Sequence, residues 1–155
     1  MKYVSFAFWL VCTCGFSQTF TPRYELSKLK EANSVNHDAG PVISPDGKKL
    51  YFFVVSKEGN QDISLITKDD AGVWSPPQKL GAPFNQHKTN AVFQVMHDGT
   101  LLVRGSRSKN DLGFSLVSPS GSWSELNIKD FATMAKGRFN GASISNDLKH
   151  MILYF

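Results

Sequence analysis

Hydrophobic positions from Gly40 onward fall in short runs rich in β-branched and aromatic residues, spaced about ten residues apart. Pairs such as Asp-Gly, Ser-Gly and Pro-Pro separate the runs. This alternation predicts consecutive antiparallel strands in two sets of four and the start of a third. The predicted strands are Val42–Ile43, Leu50–Val55, Ile63–Thr67 and Trp74–Leu80; Val92–Val95, Leu101–Arg104, Phe114–Ser118 and Trp123–Ile128; and Ala142–Ser145 and Met151–Phe155.

A long repeat relates the three sets. Asp46, Asp98 and Asp147 recur at intervals of 52 and 49 residues, and Trp74 and Trp123 are 49 residues apart. Four strands repeated every 40 to 50 residues or so are typical of the blades of a β-propeller. The repeat therefore predicts an all-β fold, an incomplete β-propeller of about two and a half four-stranded antiparallel blades after a signal peptide.

The turn after the first strand of each set contains the repeated aspartate. Glycine follows Asp46 and Asp98, as a tight hairpin requires where the backbone takes a positive φ. Leu148 follows Asp147, so the third turn is expected to be looser or of another type. Trp74 and Trp123 each follow a glycine-containing turn and open an outermost strand, where we interpret the rings as packing against the neighbouring blade.

The first seventeen residues have the features of a secretory signal peptide. Lys2 supplies a positive charge, Tyr3–Cys12 is an apolar stretch, and Gly15 and Ser17 are small residues before the predicted cleavage at Gln18. The sequence thus predicts a secreted or periplasmic protein.

Both cysteines, Cys12 and Cys14, lie in this leader, so the mature chain is expected to fold without disulfides. Lipid anchoring at Cys14 is a weaker alternative, because Thr13 is larger than the residue that usually precedes a lipidated cysteine. No apolar run is long enough to cross a bilayer as a helix.

The charge pattern does not favour nucleic acid as a partner. The formal net charge is +4 and the pI is about 9.1, but the basic residues are scattered among acidic ones and form no stripe. The basic run Arg104–Lys109, with Arg107 inside it, could hold a phosphate or carboxylate, although a solvated hairpin loop is the better interpretation.

The sequence predicts no catalytic residue, no metal site and no cofactor. No two histidines have the close spacing that brings imidazoles to one ion. No nucleophile elbow or phosphate-binding loop occurs, and Asp38, Asp69 and Asp70 fall in predicted turns. Ligand-binding residues cannot be named from the pattern. The histidines are His37, His87, His97 and His150.

Three segments carry a resemblance to a known family. Ser44–Phe52 (SPDGKKLYF), Gly59–Ser64 (GNQDIS) and Gly72–Pro77 (GVWSPP) resemble the TolB-like, WD-repeat-like β-propellers. The chain is most similar to secreted bacterial versions that are often joined to an OmpA-like peptidoglycan-binding domain. The resemblance covers about residues 36–155. It implies a propeller outside the cytoplasm that binds an envelope protein or polymer, usually without catalysis; peptidoglycan binding is expected only through a domain outside this sequence.

The expected organisation is a signal peptide at 1–17, a linker or closing outer strand at 18–35, and a partial propeller at 36–155. Its blades are expected at about 36–84, 85–139 and 140–155, the last one truncated. Tyr24–Leu29 fits either a strand or a helix by spacing, and the resemblance favours a strand. An insertion at Asn127–Asn140 forms either a short helical turn around Phe131–Lys136 or a loop on the binding face.

A closed propeller needs about 4 to 8 blades, so we expect the sequence to be part of a longer chain. The alternative is that several copies together complete a ring. The leading functional hypothesis is a non-enzymatic binding module of the envelope. The alternative is part of a propeller hydrolase, of the glycosidase or peptidase-associated kind, whose catalytic residues lie outside this sequence.

Overall fold

The structure is a computed structural model that describes residues 25–105, 113–131 and 141–154. This part is all-β, with ten strands and one turn of 3-10 helix at Lys30–Ala32, which confirms the predicted fold class at that level. The predicted signal peptide with its two cysteines, the basic run beyond Gly105, and the insertion beyond Phe131 lie outside the described residues.

The strands form three antiparallel sheets, in each of which neighbours in the sheet are neighbours in sequence. Sheets 1 and 2 have four strands each, and sheet 3 has two among the described residues. A closed ring of sheets is not present in the described ranges. Sheet 1 contains β1 (His37–Ile43), β2 (Lys49–Val55), β3 (Gln61–Thr67) and β4 (Gln78–Lys79); sheet 2 contains β5 (Ala91–Val95), β6 (Leu101–Arg104), β7 (Phe114–Val117) and β8 (Trp123–Glu125); sheet 3 contains β9 (Gly141–Ile144) and β10 (Met151–Tyr154).

The first strand is longer than predicted. Glycine and proline ordinarily interrupt a strand, so the pattern assigned only Val42–Ile43. In the structure, β1 continues through Gly40 and Pro41 because the pairing with β2 shifts register between Ala39 and Val42. This β-bulge accommodates Gly40 at φ +61°.

The outermost strands are shorter than predicted. β4 covers only Gln78–Lys79 of the expected Trp74–Leu80, since Pro76 and Pro77 have no N–H to donate to a ladder. Trp74 forms an isolated bridge with Lys68 and does not open the strand. Trp123 does open β8, as predicted, but that strand ends at Glu125.

Six tight turns share one backbone design. The carbonyl of the first residue accepts a hydrogen bond from the N–H of the fourth, and the fourth residue has a positive φ. Five of the fourth residues are glycines, which adopt this conformation without a Cβ clash. The first residues are Ser44, Ser56, Asp69, Met96, Ser118 and Ser145, and the fourth residues are Gly47, Gly59, Gly72, Gly99, Gly121 and Leu148.

The expectation of a looser third turn is therefore wrong. Leu148 adopts φ +59°, and the N–H of Ser145 donates to the carbonyl of His150 as that of Ser44 donates to the carbonyl of Lys49. The turn keeps its shape although a leucine occupies the left-handed position, which costs about 1 to 2 kcal/mol for a residue with a Cβ.

The first apolar cluster lies between sheets 1 and 2. Leu101 and Val103 of β6 point to the same face of sheet 2 and pack there with Tyr51 and Ile63 of sheet 1. All four side chains are buried. Burial of a large apolar side chain contributes about 1.5 to 3 kcal/mol, so this contact holds the two sheets face to face.

A second apolar cluster lies between sheets 2 and 3. Leu102, which points to the opposite face of β6 from its neighbours, packs there with Phe114 of β7 and with Ala142 and Ile144 of β9. Sheet 2 is therefore the middle layer of the three. The first strands also adjoin in series, β1 with β5 and β5 with β9.

The side chain of Gln94 joins the first strands of sheets 2 and 3. Its Nε2 donates to the carbonyl of Ile144 at 3.0 Å, and its Oε1 accepts the N–H of Ile144 at 2.9 Å. The hydroxyl of Ser143 also donates to this Oε1 at 3.1 Å. One amide thereby satisfies both backbone groups of a residue in the adjacent sheet.

Residues 25–29 form neither a helix nor a strand, and Tyr24 lies outside the described residues. Leu29 and Ala32 line a cavity together with Phe52, whose side chain is buried. The segment thus lies against the face of sheet 1 that points away from sheet 2. Leu26 is fully exposed and takes no part in this contact.

Candidate interaction surface

The turns between the first and second strands of the three sheets form one surface, the turn ledge. It consists of Ser44–Lys49, Met96–Thr100 and Ser145–His150. Residues of the first two turns line one cleft, and residues of the second and third turns line another. The repeat that the sequence showed at Asp46, Asp98 and Asp147 thus becomes a row of neighbouring turns in space.

Each repeated aspartate binds the backbone of its own turn. Its Oδ1 accepts the N–H of the residue two positions later, a common role of aspartate in turns. In the first and third turns a serine hydroxyl donates to the same carboxylate, and in the second turn the hydroxyl of Thr100 does so. The backbone distances are 3.0 Å for Asp46 and Lys48, 2.9 Å for Asp98 and Thr100, and 3.1 Å for Asp147 and Lys149.

These hydrogen bonds lower the pKa of all three carboxyl groups. For Asp46 the main cause is the bond from the Ser44 hydroxyl, followed by the Lys48 N–H. The hydrogen bond from the Thr100 N–H is the main cause of the lowered pKa of Asp98. The hydrogen bond from the Ser145 hydroxyl is the main cause of the lowered pKa of Asp147. A carboxylate held in the ionised form by its own turn is poorly suited to act as a general acid near neutral pH, so the repeated aspartates stabilise the turns.

The first cleft has a volume of about 110 Å³. Its lining combines Tyr51, Lys49 and His97 with the apolar side chains of Val95 and Met96. Tyr51 is only 7% exposed, and burial, with a smaller contribution from the charge of Asp46, raises the pKa of its hydroxyl. The lining therefore combines hydrogen-bonding groups, including the carboxylate of Asp46 and the ammonium group of Lys49, with apolar side chains.

The second cleft has a volume of about 280 Å³ and is lined by Met96, His97, Asp98 and Asn146. His97 and Asn146 are exposed. His97 lines both clefts. Its imidazole therefore lies at the centre of the ledge, with the first turn on one side and the third turn on the other. His97 precedes the repeated Asp98 in the second turn, and the sequence pattern does not indicate these clefts.

The other histidines lie apart from the ledge centre and from one another. His37 begins β1, and the ring of His87 lies near Gly105, where a Cβ added to the glycine would be 3.2 Å from Cδ2. His150 ends the third turn. The described residues contain no group of three or more histidines, cysteines or acidic residues that could hold a metal ion.

Two asparagines that the sequence analysis did not single out attach the loop after β4 to sheet 1. Asn85 accepts the N–H of Ile63 at 2.7 Å and donates to its carbonyl at 3.0 Å. Asn90 is fully buried and donates to the carbonyls of Gln61 and His87 at 2.8 and 2.7 Å. Buried amides with satisfied hydrogen bonds fix a loop in one conformation.

Both tryptophans of the repeat pack against protein groups. The ring centroids of Trp123 and Phe84 are 5.2 Å apart, and both side chains pack against the first apolar cluster. The Nζ of Lys68 lies 4.6 Å from the ring centroid of Trp74, a cation–π distance. These contacts agree with the interpretation of the tryptophans as packing residues, although Trp74 contacts its own sheet.

Among the residues that the structure describes, no helix has the length and apolar character needed to traverse a membrane. No family model matches the chain, and no match was found among the curated proteins or the solved structures.

Proposed function

We propose that this chain is a secreted or periplasmic β-propeller module of the bacterial envelope, without catalytic activity, that binds an envelope protein or polymer through the turn ledge. The single observation that carries the proposal is the row of three equivalent turns with two clefts between them. A surface of repeated elements suits an extended partner, because each turn can contact a successive part of it.

The chemistry of the ledge favours a polar partner. The clefts present Tyr51, Lys49, His97 and Asn146, while the carboxylates of the turns are engaged by their own backbones. Hydroxyl, amide or carboxylate groups of a peptide or polysaccharide can accept or donate hydrogen bonds here. The propeller architecture is supported by the series of antiparallel sheets with adjoining first strands and by the resemblance of Ser44–Phe52 to TolB-like proteins.

The test is binding of the purified chain to fractionated envelope material. Immobilised chain is mixed separately with envelope extract, cytoplasmic extract and isolated peptidoglycan. We expect retention of components of the envelope extract, and none of the cytoplasmic extract or of isolated peptidoglycan. Retention should fall at least about tenfold when His97→Ala and Asn146→Ala are combined, since a few central contacts usually dominate an interface. The matched control is Lys57→Ala with Glu58→Ala, two exposed residues in the turn at the other end of β2.

Equal retention from cytoplasmic extract, or retention that the ledge variant leaves unchanged, would contradict the binding role. The location is tested separately by mass spectrometry of exported material. The proposal predicts a chain that begins at Gln18. A chain that retains Cys14 with an attached lipid would instead establish the anchored alternative.

A further inference from the structure

The first cleft of the turn ledge contains a buried hydroxyl group without a partner. Tyr51 is only 7% exposed, yet no described residue forms a hydrogen bond with its hydroxyl. The hydroxyl oxygen is not fully enclosed, so it reaches solvent through the cleft that Tyr51 lines. A tyrosine buried to this extent usually has a hydrogen-bond partner for its O–H, and a ligand in the cleft would supply one. The two turns that form the cleft and the strands β1, β2, β5 and β6 that flank them all belong to the described residues.

Lys49 and His97 add two further donors to the lining. Both side chains are exposed, and within the described ranges neither forms an ion pair or a side-chain hydrogen bond. The neighbouring Lys48 differs, because its ammonium group bonds to Asp70 at 2.7 Å and does not line the cleft. Burial, with a smaller contribution from a nearby carboxylate, raises the pKa of the Tyr51 hydroxyl, which therefore keeps its proton near neutral pH. The cleft thus has three donors that are free to bind an acceptor.

The charges around His97 favour an anion as that acceptor once the imidazole is protonated. Lys49 and Asp46 have opposite charges, and the carboxylate of Asp46 is engaged by its own turn. The cleft is therefore about neutral while His97 is neutral, and gains a positive charge when it is protonated, a change that histidines undergo near neutral pH. In the second cleft the imidazole is flanked by Asp98 of its own turn and by the uncharged Asn146.

The size and the apolar part of the cleft suit the end of a polypeptide. The volume is about 110 Å³, against roughly 300 to 1,000 Å³ for sites that enclose a drug-sized ligand, so only a terminal group fits. Val95 and Met96 supply apolar surface beside the donors. The last residue of a polypeptide carries a carboxylate next to its side chain and so matches both parts. A sugar acid carries hydroxyl groups around its carboxylate and would place them against this apolar surface without partners.

We propose that the first cleft binds the C-terminal carboxylate of a partner polypeptide. Tyr51, Lys49 and His97 donate hydrogen bonds to the carboxylate oxygens, and the last side chain of the partner lies against Val95 and Met96. The inference deepens the proposed function and rests on it, since it names the group of the partner that the ledge binds. Hydrogen bonds to an ionised acceptor are stronger than those between neutral groups. Because the carboxylate attracts the protonated imidazole, binding takes up a proton and strengthens as the pH falls from 8 to 6.

The experiment uses the 155-residue chain and the peptide acetyl-Gly-Gly-Ser-Leu, with either a free carboxyl group or a C-terminal amide. In an NMR titration, the amide should bind at least about tenfold more weakly than the free acid, because it lacks the charge. Trigalacturonate, which carries its carboxylates on sugar rings, should also bind at least about tenfold more weakly. The affinity for the free acid should rise at least about threefold from pH 8 to pH 6, and His97→Gln should remove this rise.

Two variants test the remaining donors. Tyr51→Phe removes only a hydroxyl that has no partner in the chain, and Lys49→Met removes the ammonium group but keeps an apolar stem. Each should weaken binding of the free acid at least about fivefold, since each removes a hydrogen bond to a charged group. Lys48→Met is the matched control and should leave binding unchanged, because that ammonium group bonds to Asp70 outside the cleft. Circular dichroism checks that all variants stay folded.

Absence of peptide binding, equal binding of the acid and the amide, or tighter binding of trigalacturonate would each overturn the assignment of a C-terminal carboxylate. Equal losses in Lys48→Met and Lys49→Met, or an affinity that does not change with pH, would also overturn it. If the peptide fails to bind while the combined ledge variant still lowers retention of envelope components, the carboxylate assignment falls and the binding role of the ledge stands. If the ledge variant leaves that retention unchanged as well, the proposed function falls with it.

Discussion

Replacing Gly40 with alanine tests the bulge that aligns β1 with β2. Gly40 has φ +61°, and a Cβ built there would be 2.5 and 2.9 Å from two ring carbons of Phe53. Two separate costs therefore act on the substitution. One is the left-handed backbone, and the other is displacement of a ring in the adjacent strand.

Gly47→Ala isolates the first cost, because Gly47 has φ +70° and a Cβ there meets no atom within 4 Å. The left-handed conformation costs about 1 to 2 kcal/mol, and the loss of glycine flexibility in the unfolded chain returns about 0.4 to 1 kcal/mol. We expect a net destabilisation of about 1 kcal/mol for Gly47→Ala. Overpacking adds about 1 to 3 kcal/mol at Gly40, for a total of about 2 to 4 kcal/mol.

The assay is urea unfolding of the chain and both variants, followed by tryptophan fluorescence and circular dichroism. A third variant, Gly40→Ala with Phe53→Leu, should recover part of the excess cost because it removes the ring. Equal destabilisation by Gly40→Ala and Gly47→Ala would refute the close approach of β1 to Phe53, and with it the register of the bulge.

Three further predictions follow from the turns and the first cleft. In urea unfolding, the variant Leu148→Gly should be more stable than Leu148→Ala by about 0.5 to 1 kcal/mol, since only glycine relieves the strain of the left-handed backbone. Equal stabilities of the two variants would contradict φ +59° at this position. Because the pKa values of Asp46, Asp98 and Asp147 are lowered, these carboxylates stabilise the fold above pH 3.8, and this stabilisation is lost as the pH falls through the folded-state pKa. Asp46→Asn should therefore make the urea-unfolding midpoint less dependent on pH in the acid range. An unchanged dependence would be inconsistent with the hydrogen bonds from Ser44 and Lys48. Because the pKa of Tyr51 is raised, its contribution to the stability of the fold is complete below pH 10.0 and is lost as the pH rises through the folded-state pKa. In an ultraviolet titration of the tyrosines, Tyr51→Phe should remove one group that titrates above the ordinary pKa. Loss of a group that titrates at the ordinary pKa would argue against burial of Tyr51 beneath sheet 2.

The central strands were predictable because their residues meet simple local requirements. The apolar run Leu50–Val55 is one residue shorter than β2, and Leu101–Arg104 coincides with β6. Each is flanked by a turn whose glycine has the positive φ expected. Strong hydrophobic patterning and turn chemistry agree at these positions, so the local sequence suffices.

Elements that depend on tertiary structure were harder to predict. The length of β1 depends on a bulge that packs against Phe53. The short length of β4 depends on the two prolines that directly precede it in a segment with an otherwise strand-like pattern. At the edge of β3, the side-chain amide of Asn85 makes the hydrogen bonds to Ile63 that a neighbouring strand would otherwise make. A single asparagine in a loop has no hydrophobic periodicity from which this contact could be predicted. The ledge clefts arise between turns about 50 residues apart in sequence, so only the position of each turn, and not the cavity between them, could be derived.

The most direct test of the central claim, that the repeats fold into sheets stacked in sequence order, is a set of methyl nuclear Overhauser contacts from β6. The account predicts that Val103 contacts Ile63 of sheet 1 and that Leu102 contacts Ile144 of sheet 3, with no exchange of partners. Contacts from both β6 residues to the same sheet, or from Ile63 to Ile144, would show a different packing of the strands and contradict it.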